Sequence, residues 1–293
     1  MIRALLLLLF LLPARGDITL RYAMDLVPGP GVPPDLLARL KAEMKQSQPD
    51  LFDQGMVYVF TDDGWNYTRN GSFVLIFDPE TQLQNVLLTS KKVYASMAAA
   101  EWQRIQGSKK SDLEKIAQPG ALTISSDRTN RSKRVLNIYT EERRITMKFS
   151  MPRQGLPEGA QTTLSFWCPT PGEIERVPAL RRLEELTQSG LARFSPAQQI
   201  AEAFGSNPQM AANLLMLSQE MSQVGIYLEM RLATILPGLQ PEEIKTDSPS
   251  PLMEIVYTLK ELSDAKAPRH YFQIPEGYRK VEIEEIIGQA SAP

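Results

Sequence analysis

One histidine and one cysteine limit the catalytic chemistry open to this chain. His270 is the only imidazole among the 293 residues, and Cys168 is the only thiol. A serine or cysteine nucleophile would need a base, and His270 is the only imidazole able to serve. His270 lies beside a proline-containing stretch, whereas Cys168 ends an apolar Leu-Ser-Phe-Trp run that is typical of a buried strand. We therefore expect an exposed or structural imidazole, a buried unreactive thiol, no intrachain disulfide and no enzyme activity.

The acidic residues and glycines form no metal or phosphate motif. Asp62-Asp63 and Glu141-Glu142 are adjacent pairs, and neighbouring residues of a strand point to opposite faces, so neither pair would make a close dyad. The cysteine, histidine and acidic residues match no metal-ligand spacing, and the glycines occur singly at turns. The sequence therefore predicts no metal and no cofactor, and the charges at Glu141–Arg144 are interpreted as a solvated turn.

An apolar segment at the N-terminus predicts export. Residues 4–12 are almost all leucine, follow Arg3 and precede Pro13-Ala14-Arg15-Gly16. The run is far shorter than the roughly 20 residues of a spanning helix, and small residues at positions 14 and 16 are typical of signal-peptide cleavage. We expect a signal peptide at residues 1–16, a periplasmic or secreted mature chain, and no transmembrane span in that chain.

The charge of the mature chain bears on its partners. Cleavage after residue 16 removes Arg3 and Arg15, which leaves 30 of the 32 basic residues against 34 acidic ones and a formal net charge of −4. A mildly acidic protein is not expected to bind nucleic acid or anionic lipid surfaces. Hydrophobic residues make up 43% of the chain, enough for an ordinary core without disulfides.

Apolar and polar residues alternate with period two along most of the chain, which indicates strands. Residues 20–26, 145–151 and 226–233 show this alternation, and residues 135–140 are also predicted as a strand. Asp62-Asp63-Gly64 and Asn70-Gly71 stand between apolar runs and are typical of hairpin turns. A helix is predicted over Glu173–Leu186 from apolar residues spaced three apart, and another helix, rich in methionine, after Asn207-Pro208.

These patterns predict an α+β fold with one large curved antiparallel sheet. About ten or eleven strands would form a half-barrel, because strand twist makes a sheet of this size curl, and helices would fill its concave face. We expect one domain over residues 17–283 with a helical insertion at about 173–223. The tail at residues 284–293 is expected to fray.

Three groups of segments carry a resemblance to a known fold. They are Gly71–Asp78 with Lys92–Met97, Leu164–Pro169 with Pro171-Gly172, and Gly225–Met230 with Phe272–Val281, the last of which contains the pattern Phe-x-Ile-Pro-x-Gly-Tyr-x-Lys. In these segments the chain resembles the LolA/LolB-like bacterial lipoprotein-carrier fold, and more closely an uncharacterised exported family with that fold. The likeness implies a curved sheet with helices on its concave side.

Two functions follow from that shape. The first is a non-catalytic carrier or sensor whose apolar groove binds an acyl chain, a lipid or a lipidated segment. The alternative is an interaction or assembly module of the cell envelope that docks through the helices at 173–223 and exposes an apolar patch there. The residues predicted to line the groove are Phe73, Phe77, Met147, Phe149, Leu228 and Met230.

Overall fold

The computed structural model of the protein describes residues 16–30, 32–47, 49–105, 122–149, 158–192, 220–221, 223–235, 250–251 and 253–290. The predicted signal segment, except Gly16, lies outside the described residues. So do residues 193–219 of the predicted helical insertion, which include most of its methionine-rich helix.

Within the described residues the chain forms twelve strands and a smaller number of helices. The strands are β1 (Ile18–Pro28), β2 (Met56–Phe60), β3 (Asn66–Asn70), β4 (Phe73–Asp78), β5 (Leu83–Leu88), β6 (Val93–Ala98), β7 (Leu122–Val135), β8 (Ile138–Phe149), β9 (Gln161–Pro169), β10 (Glu229–Ile235), β11 (Met253–Ser263) and β12 (Arg279–Lys280). The helices are α1 (Pro34–Ser47), α2 (Pro49–Gln54), α3 (99–105), α4 (Pro171–Arg176), α5 (Pro178–Gln188) and α6 (Ile283–Ala290).

The twelve strands make one open sheet in the order β12-β6-β5-β4-β3-β2-β1-β11-β10-β9-β8-β7. The neighbours are antiparallel apart from β12, which lies parallel to β6. The α+β class and the large antiparallel sheet are thus confirmed. The expected count of ten or eleven strands was too low, since a two-residue strand such as β12 has no periodic signal in the sequence.

The hairpin turns predicted from Asp-Gly and Asn-Gly are confirmed. Gly64 and Gly71 have positive φ angles of 89° and 57°, as tight turns between short strands require. The same conformation is taken by Leu136 and Asn137 between β7 and β8, with φ angles of 49° and 62°. The strand predicted at 135–140 was therefore wrong, because a turn lies inside it.

Two further elements differ from the sequence prediction. The charges at Glu141–Arg144 belong to β8 and are not a solvated turn. The single helix predicted over Glu173–Leu186 is two helices, because Val177 has an extended conformation before Pro178, which begins α5. A residue before proline is disfavoured in the helical region, so the chain breaks there.

One face of the sheet, here called the helix face, carries two apolar clusters. The larger one joins β1, β2 and β7–β11 to α2, α4 and α5, and its fully buried members include Leu180, Leu183 and Leu186 of α5. The smaller one joins β4–β6 to Trp102 of α3 and Ile286 of α6. Cross-strand pairing through Thr68 of β3 puts both clusters on the same face.

The C-terminal segment is ordered against the sheet. Residues 284–290 belong to α6, and Ile286 is completely buried in the smaller cluster. The expectation of a frayed tail from residue 284 was therefore wrong as far as residue 290, because apolar residues spaced three apart, Ile283 and Ile286, pack on β5 and β6. Residues 291–293 lie outside the described residues.

The opposite face of the sheet is divided into two halves. Over β2–β5 it is apolar and covered by the segment from Ala267 to Tyr278, whose Tyr271 and Phe272 pack on Tyr67 and Trp65. Over β8–β10 this face is polar and charged, and a cavity lies on it. The sheet therefore separates an apolar, helix-covered side from a charged pocket.

The packing of α5 on the sheet generates a stability prediction. Leu183→Ala should lower the free energy of unfolding by about 2–5 kcal/mol, because Leu183 is completely buried and truncation leaves a cavity. Leu83→Ala serves as the control, since Leu83 is 37% exposed and should change stability by about 0.5 kcal/mol or less. Urea denaturation of both variants measures the difference, and equal losses would contradict the assigned packing.

Candidate functional site

A pocket of about 460 Å³ lies on the charged half of the opposite face. Strands β7 to β11 supply most of its wall, and Pro251 closes one side. Arginine and lysine side chains dominate the lining, with an indole and a small apolar patch between them. The lining residues are Arg131, Ser132, Lys133, Glu142, Arg144, Thr163, Ser165, Trp167, Arg231, Ala233, Ile235, Pro251 and Glu254.

Strand register arranges these side chains in rows. Glu142 on β8 pairs with Trp167 on β9, which pairs in turn with Glu229 on β10. Two residues along the strands, Arg144 pairs with Ser165, and Ser165 pairs with Arg231. Side chains of residues i and i+2 project from the same face of a strand. The pocket floor is therefore an acidic and aromatic row of Glu142 and Trp167, which Glu229 continues outside the lining, beside a cationic row.

A bulge in β7 directs two more side chains toward Glu142. The pairing of β7 with β8 slips between Arg128 and Ser132, and Asn130 within the bulge has a φ of 57°. Asparagine tolerates this left-handed conformation better than most residues. Thr129 and Arg131, on either side of Asn130, both reach Glu142. The bulge therefore re-aims the edge strand toward the cavity.

Lys133 reaches from the edge strand to the far side of the pocket. Its Nζ atom lies 4.2 Å from the centroid of the Trp167 ring and pairs with the carboxylate of Glu229 on β10. Strand β10 is three strand spacings from β7, about 14 Å in a flat sheet, which exceeds the length of a lysine side chain. The edge of the sheet therefore curls toward the pocket, away from the helix face.

Glu142 is a buried carboxylate that organises one end of the pocket. Only 2% of its side chain is exposed. It accepts a hydrogen bond of 2.6 Å from Thr129 Oγ1 and bonds of 3.1 and 3.2 Å from Arg144 Nη2. Burial acts to raise the pKa of Glu142, but the hydrogen bonds from Thr129, Ser165 and Arg144 outweigh it and the pKa is lowered. Glu142 is therefore ionised at neutral pH.

Glu229 organises the other end in the same way. Its side chain is 8% exposed and pairs with Lys133 and with Arg231, whose Nε atom lies 2.6 Å away. Arg231 also donates a bond of 3.2 Å to Glu254. Burial lowers the pKa of Lys133 despite the attraction of Glu229. At Arg231 burial also acts to lower the pKa, but the carboxylates of Glu229 and Glu254 outweigh it and the pKa is raised. Each cation is thus held in place by a carboxylate.

The arrangement suits ligand binding better than proton transfer. Glu142 is ionised and cannot donate a proton, and Glu229 lies between two cations. Four cations line the pocket against the carboxylates of Glu142, Glu229 and Glu254, so the group has a formal charge of +1. Arginine carries five donors and no acceptor, which leaves donors for an anionic ligand. Within the described residues no three histidine, cysteine or acidic side chains are placed to hold a metal ion.

Two buried donors of the pocket wall have no hydrogen-bond partner among the described residues. They are Trp167 Nε1 and Arg144 Nε. Trp167 is only 5% exposed, and its ring is covered by Lys133 and by Arg131, whose Cζ atom lies 5.9 Å from the ring centroid. Buried polar groups are normally satisfied, so unpaired donors beside a cavity are unusual.

Five of the six residues predicted to line an apolar groove lie on the helix face, away from this pocket. Met147, Leu228 and Met230 are at most 1% exposed within the larger cluster, and Phe73 borders the smaller one. Phe77 is buried on the same face. The backbone of Phe149 belongs to β8, but its side chain lies outside what the structure describes. The groove stays a prediction, and its proposed lining is divided between two clusters.

The helices at 173–223 turn their described apolar residues inward. Leu180, Leu183 and Leu186 pack on the sheet, and Met221, the described end of the methionine-rich helix, is completely buried. Only Leu191, at 37%, is an exposed large apolar residue in the described part of this block. Docking through these helices stays a prediction.

The residues that could have carried catalysis are placed apart from one another. The thiol of Cys168 is buried in the larger cluster, and burial raises its pKa to about 12. His270 is exposed on the segment that crosses the opposite face, next to Tyr271. The predicted buried thiol and exposed imidazole are confirmed.

The sequence prediction missed the pocket, although a signal for it was present. Glu142, Arg144, Thr146 and Lys148 alternate with Arg143, Ile145 and Met147, which is a strand with one charged and one mainly apolar face. Interpreting the charges as a turn concealed this pattern. Which strands would lie beside β8 could not be predicted, because that depends on pairings between residues far apart in the chain.

Comparison with protein-family models and with curated proteins finds no match to this chain. No helix within the described ranges has the length and apolar character needed to cross a membrane.

Neutralising Glu142 tests its role. Glu142→Gln should lower the free energy of unfolding at pH 7 by about 1–3 kcal/mol, because the Arg144 and Arg131 charges lose their buried partner. A carboxyl group whose pKa is lowered by folding stabilises the protein above its unfolded pKa, near 4.5, and this contribution disappears as the pH falls through the folded pKa. The stability difference between wild type and variant should therefore shrink below about pH 4.5.

Glu141→Gln is the matched control, since Glu141 is the preceding residue of β8 and is exposed. Chemical denaturation from pH 3 to pH 7 compares the three proteins. A difference between wild type and Glu142→Gln that does not change with pH would contradict the assignment of Glu142 as a buried, ionised carboxylate.

Proposed function

We propose that this protein is an exported, non-catalytic binding protein that holds a small anionic ligand in the pocket beside Trp167. The observation that carries the proposal is the pairing of two buried carboxylates with four cations around an open cavity. Buried charges are expensive to desolvate, and apolar side chains would often stabilise a fold equally well. The buried carboxylates act here by orienting the cations, because Glu142 and Glu229 hold arginine and lysine side chains in position before a ligand arrives.

The lining defines the ligand class. Arg144, Arg231, Arg131 and Lys133 supply donors suited to a carboxylate, a sulfate or a phosphate group. Ala233, Ile235 and Pro251 provide a small apolar wall for the remainder of the molecule. The proposed ligand is therefore a small molecule with one anionic group and a short apolar part.

Export and the lipoprotein-carrier likeness belong to the same proposal. The leucine-rich segment at residues 4–12 supports a signal peptide, and with it a periplasmic or secreted location. An open antiparallel sheet with helices packed on one face supports the half-barrel architecture. The curl of β7 toward the pocket is a departure from a sheet whose concave side is filled by helices.

A second candidate function is the binding of an acyl chain on the helix face. The observation that favours it is a concentration of methionine in the larger cluster, where flexible thioether side chains can repack around a guest. Those residues are Met24, Met56, Met147, Met221 and Met230.

Anion titration tests the pocket. Sulfate and a series of small carboxylates should bind the mature protein, and Arg144→Gln should weaken binding by about 10–100-fold, the value of a hydrogen bond to a charged group. Arg128→Gln is the control, because Arg128 is an exposed cation of β7 outside the lining. Isothermal titration calorimetry measures both. Equal affinities of Arg144→Gln and Arg128→Gln, or no binding by the wild type, would contradict the proposal.

Native mass spectrometry tests the second candidate. Protein purified from an export-competent host should carry a lipid or fatty acid that organic extraction releases. Met230→Ala should reduce uptake of a fluorescent acyl probe, whereas Arg144→Gln should leave it unchanged, since Met230 and Arg144 lie on opposite faces of the sheet. Protein that carries no lipid and takes up no probe would contradict acyl binding.

A further inference from the structure

The two rows of the pocket floor have opposite charge character. One row places the indole of Trp167 between the buried carboxylates of Glu142 and Glu229. The other places Ser165 between Arg144 and Arg231. Rows two residues apart on a strand are separated by about 6.7 Å. A ligand lying along the strands therefore meets an acidic and aromatic site at one end and a cationic site at the other.

The acidic and aromatic row already holds an ammonium group of the protein itself. Lys133 Nζ lies 4.2 Å from the centroid of the Trp167 ring and pairs with Glu229. An aromatic face with a carboxylate beside it is a favourable environment for ammonium groups, above all methylated ones. Lys133 therefore marks where the cationic part of a ligand would lie.

Lys133 is paired with Glu229 at that position but can be displaced from it. It belongs to the edge strand β7, 27% of its side chain reaches solvent, and burial lowers its pKa, so the charged amine gains hydration by moving outward. Glu229 would keep Arg231 as a partner after such a movement. Displacing Lys133 therefore leaves no buried carboxylate unpaired.

We propose that the pocket recognises a zwitterion, a small molecule with an ammonium group, preferably methylated, and an anionic group a few atoms away. Its ammonium group replaces Lys133 on the Trp167 ring beside Glu229, and its anionic group binds Arg144 and Arg231. This inference rests on the proposed function of the pocket and specifies the ligand class.

Two probe ligands of the same shape separate the contribution of the cationic charge from that of the shape and the carboxylate. Trimethylammonioacetate is a zwitterion, and 3,3-dimethylbutanoate replaces its nitrogen by carbon, so the cationic charge is removed while shape and carboxylate are kept. Lys133→Ala removes the internal ammonium. We expect it to bind trimethylammonioacetate about tenfold more tightly than the wild type does, and to bind 3,3-dimethylbutanoate more weakly. Calorimetry and tryptophan fluorescence measure both affinities.

The controls keep the test independent of folding. Lys133→Gln removes the charge but keeps a hydrogen-bond donor near Glu229. Like Lys133→Ala, it should bind trimethylammonioacetate more tightly and 3,3-dimethylbutanoate more weakly than the wild type does. Arg144→Gln should weaken both ligands. Thermal unfolding establishes that each variant is folded before titration.

The outcomes distinguish this inference from the proposed function. Opposite changes for the two ligands in the Lys133 variants support the zwitterion site. Equal weakening of both ligands overturns it and makes Lys133 an ordinary anion-binding cation, in which case the anion pocket stands. If neither ligand binds while sulfate does, the zwitterion site also falls and the anion pocket remains. If no anion binds the wild type, both proposals fall.

Discussion

The hydrogen-bonded register of β8, β9 and β10 is the constraint on which the rest of this protein depends. It places Glu142, Trp167 and Glu229 in one row of the sheet. A shift of one residue in either pairing would turn these charges toward the apolar helix face, where they would have no partners. The same register points Phe166, Met230 and Leu228 into the larger cluster. The charged pocket and the apolar core thus lie on opposite faces of the same strands, and a change of register would disrupt both.

The two ends of the sheet are completed in different ways. At one end the segment from Ala267 to Tyr278 covers the apolar part of the opposite face, and α6 covers β5 and β6 on the helix face. At the other end β7 is an edge strand, rich in charged and polar residues, and its bulge at Asn130 curls it over the cavity. Charge and a bulge protect an edge strand from pairing with another chain. Here the bulge also brings Thr129 and Arg131 to Glu142, and β7 supplies Arg131 and Lys133 to the pocket lining.

The buried carboxylates explain how a pocket crowded with cations is stable. Four neighbouring positive charges would repel one another. Glu142 and Glu229 reduce this repulsion, because each carboxylate accepts hydrogen bonds or ion pairs from two or more donors. The cost of burying them is offset by hydrogen bonds and ion pairs to the cations, whereas removing one carboxylate leaves cations without their partner. Glu142 and Glu229 are thus the most buried charges of the site, with 2% and 8% of their side chains exposed, whereas all four cations lie partly in solvent.

The sequence by itself determined the elements that depend on neighbouring residues. Period-two alternation and the Asp-Gly and Asn-Gly turns predicted the first hairpins of the sheet, and the surroundings of Cys168 predicted a buried thiol. Local patterns failed where a residue takes a conformation that its type disfavours, as at Leu136, or where proline interrupts an otherwise regular stripe, as at Pro178. The assembly of the pocket from several strands was decided by tertiary structure. Lys133 and Glu229 are 96 residues apart, and only the order of the strands and the curl of the edge bring them together. No local pattern records which strands become neighbours, because that choice depends on the packing of the whole sheet.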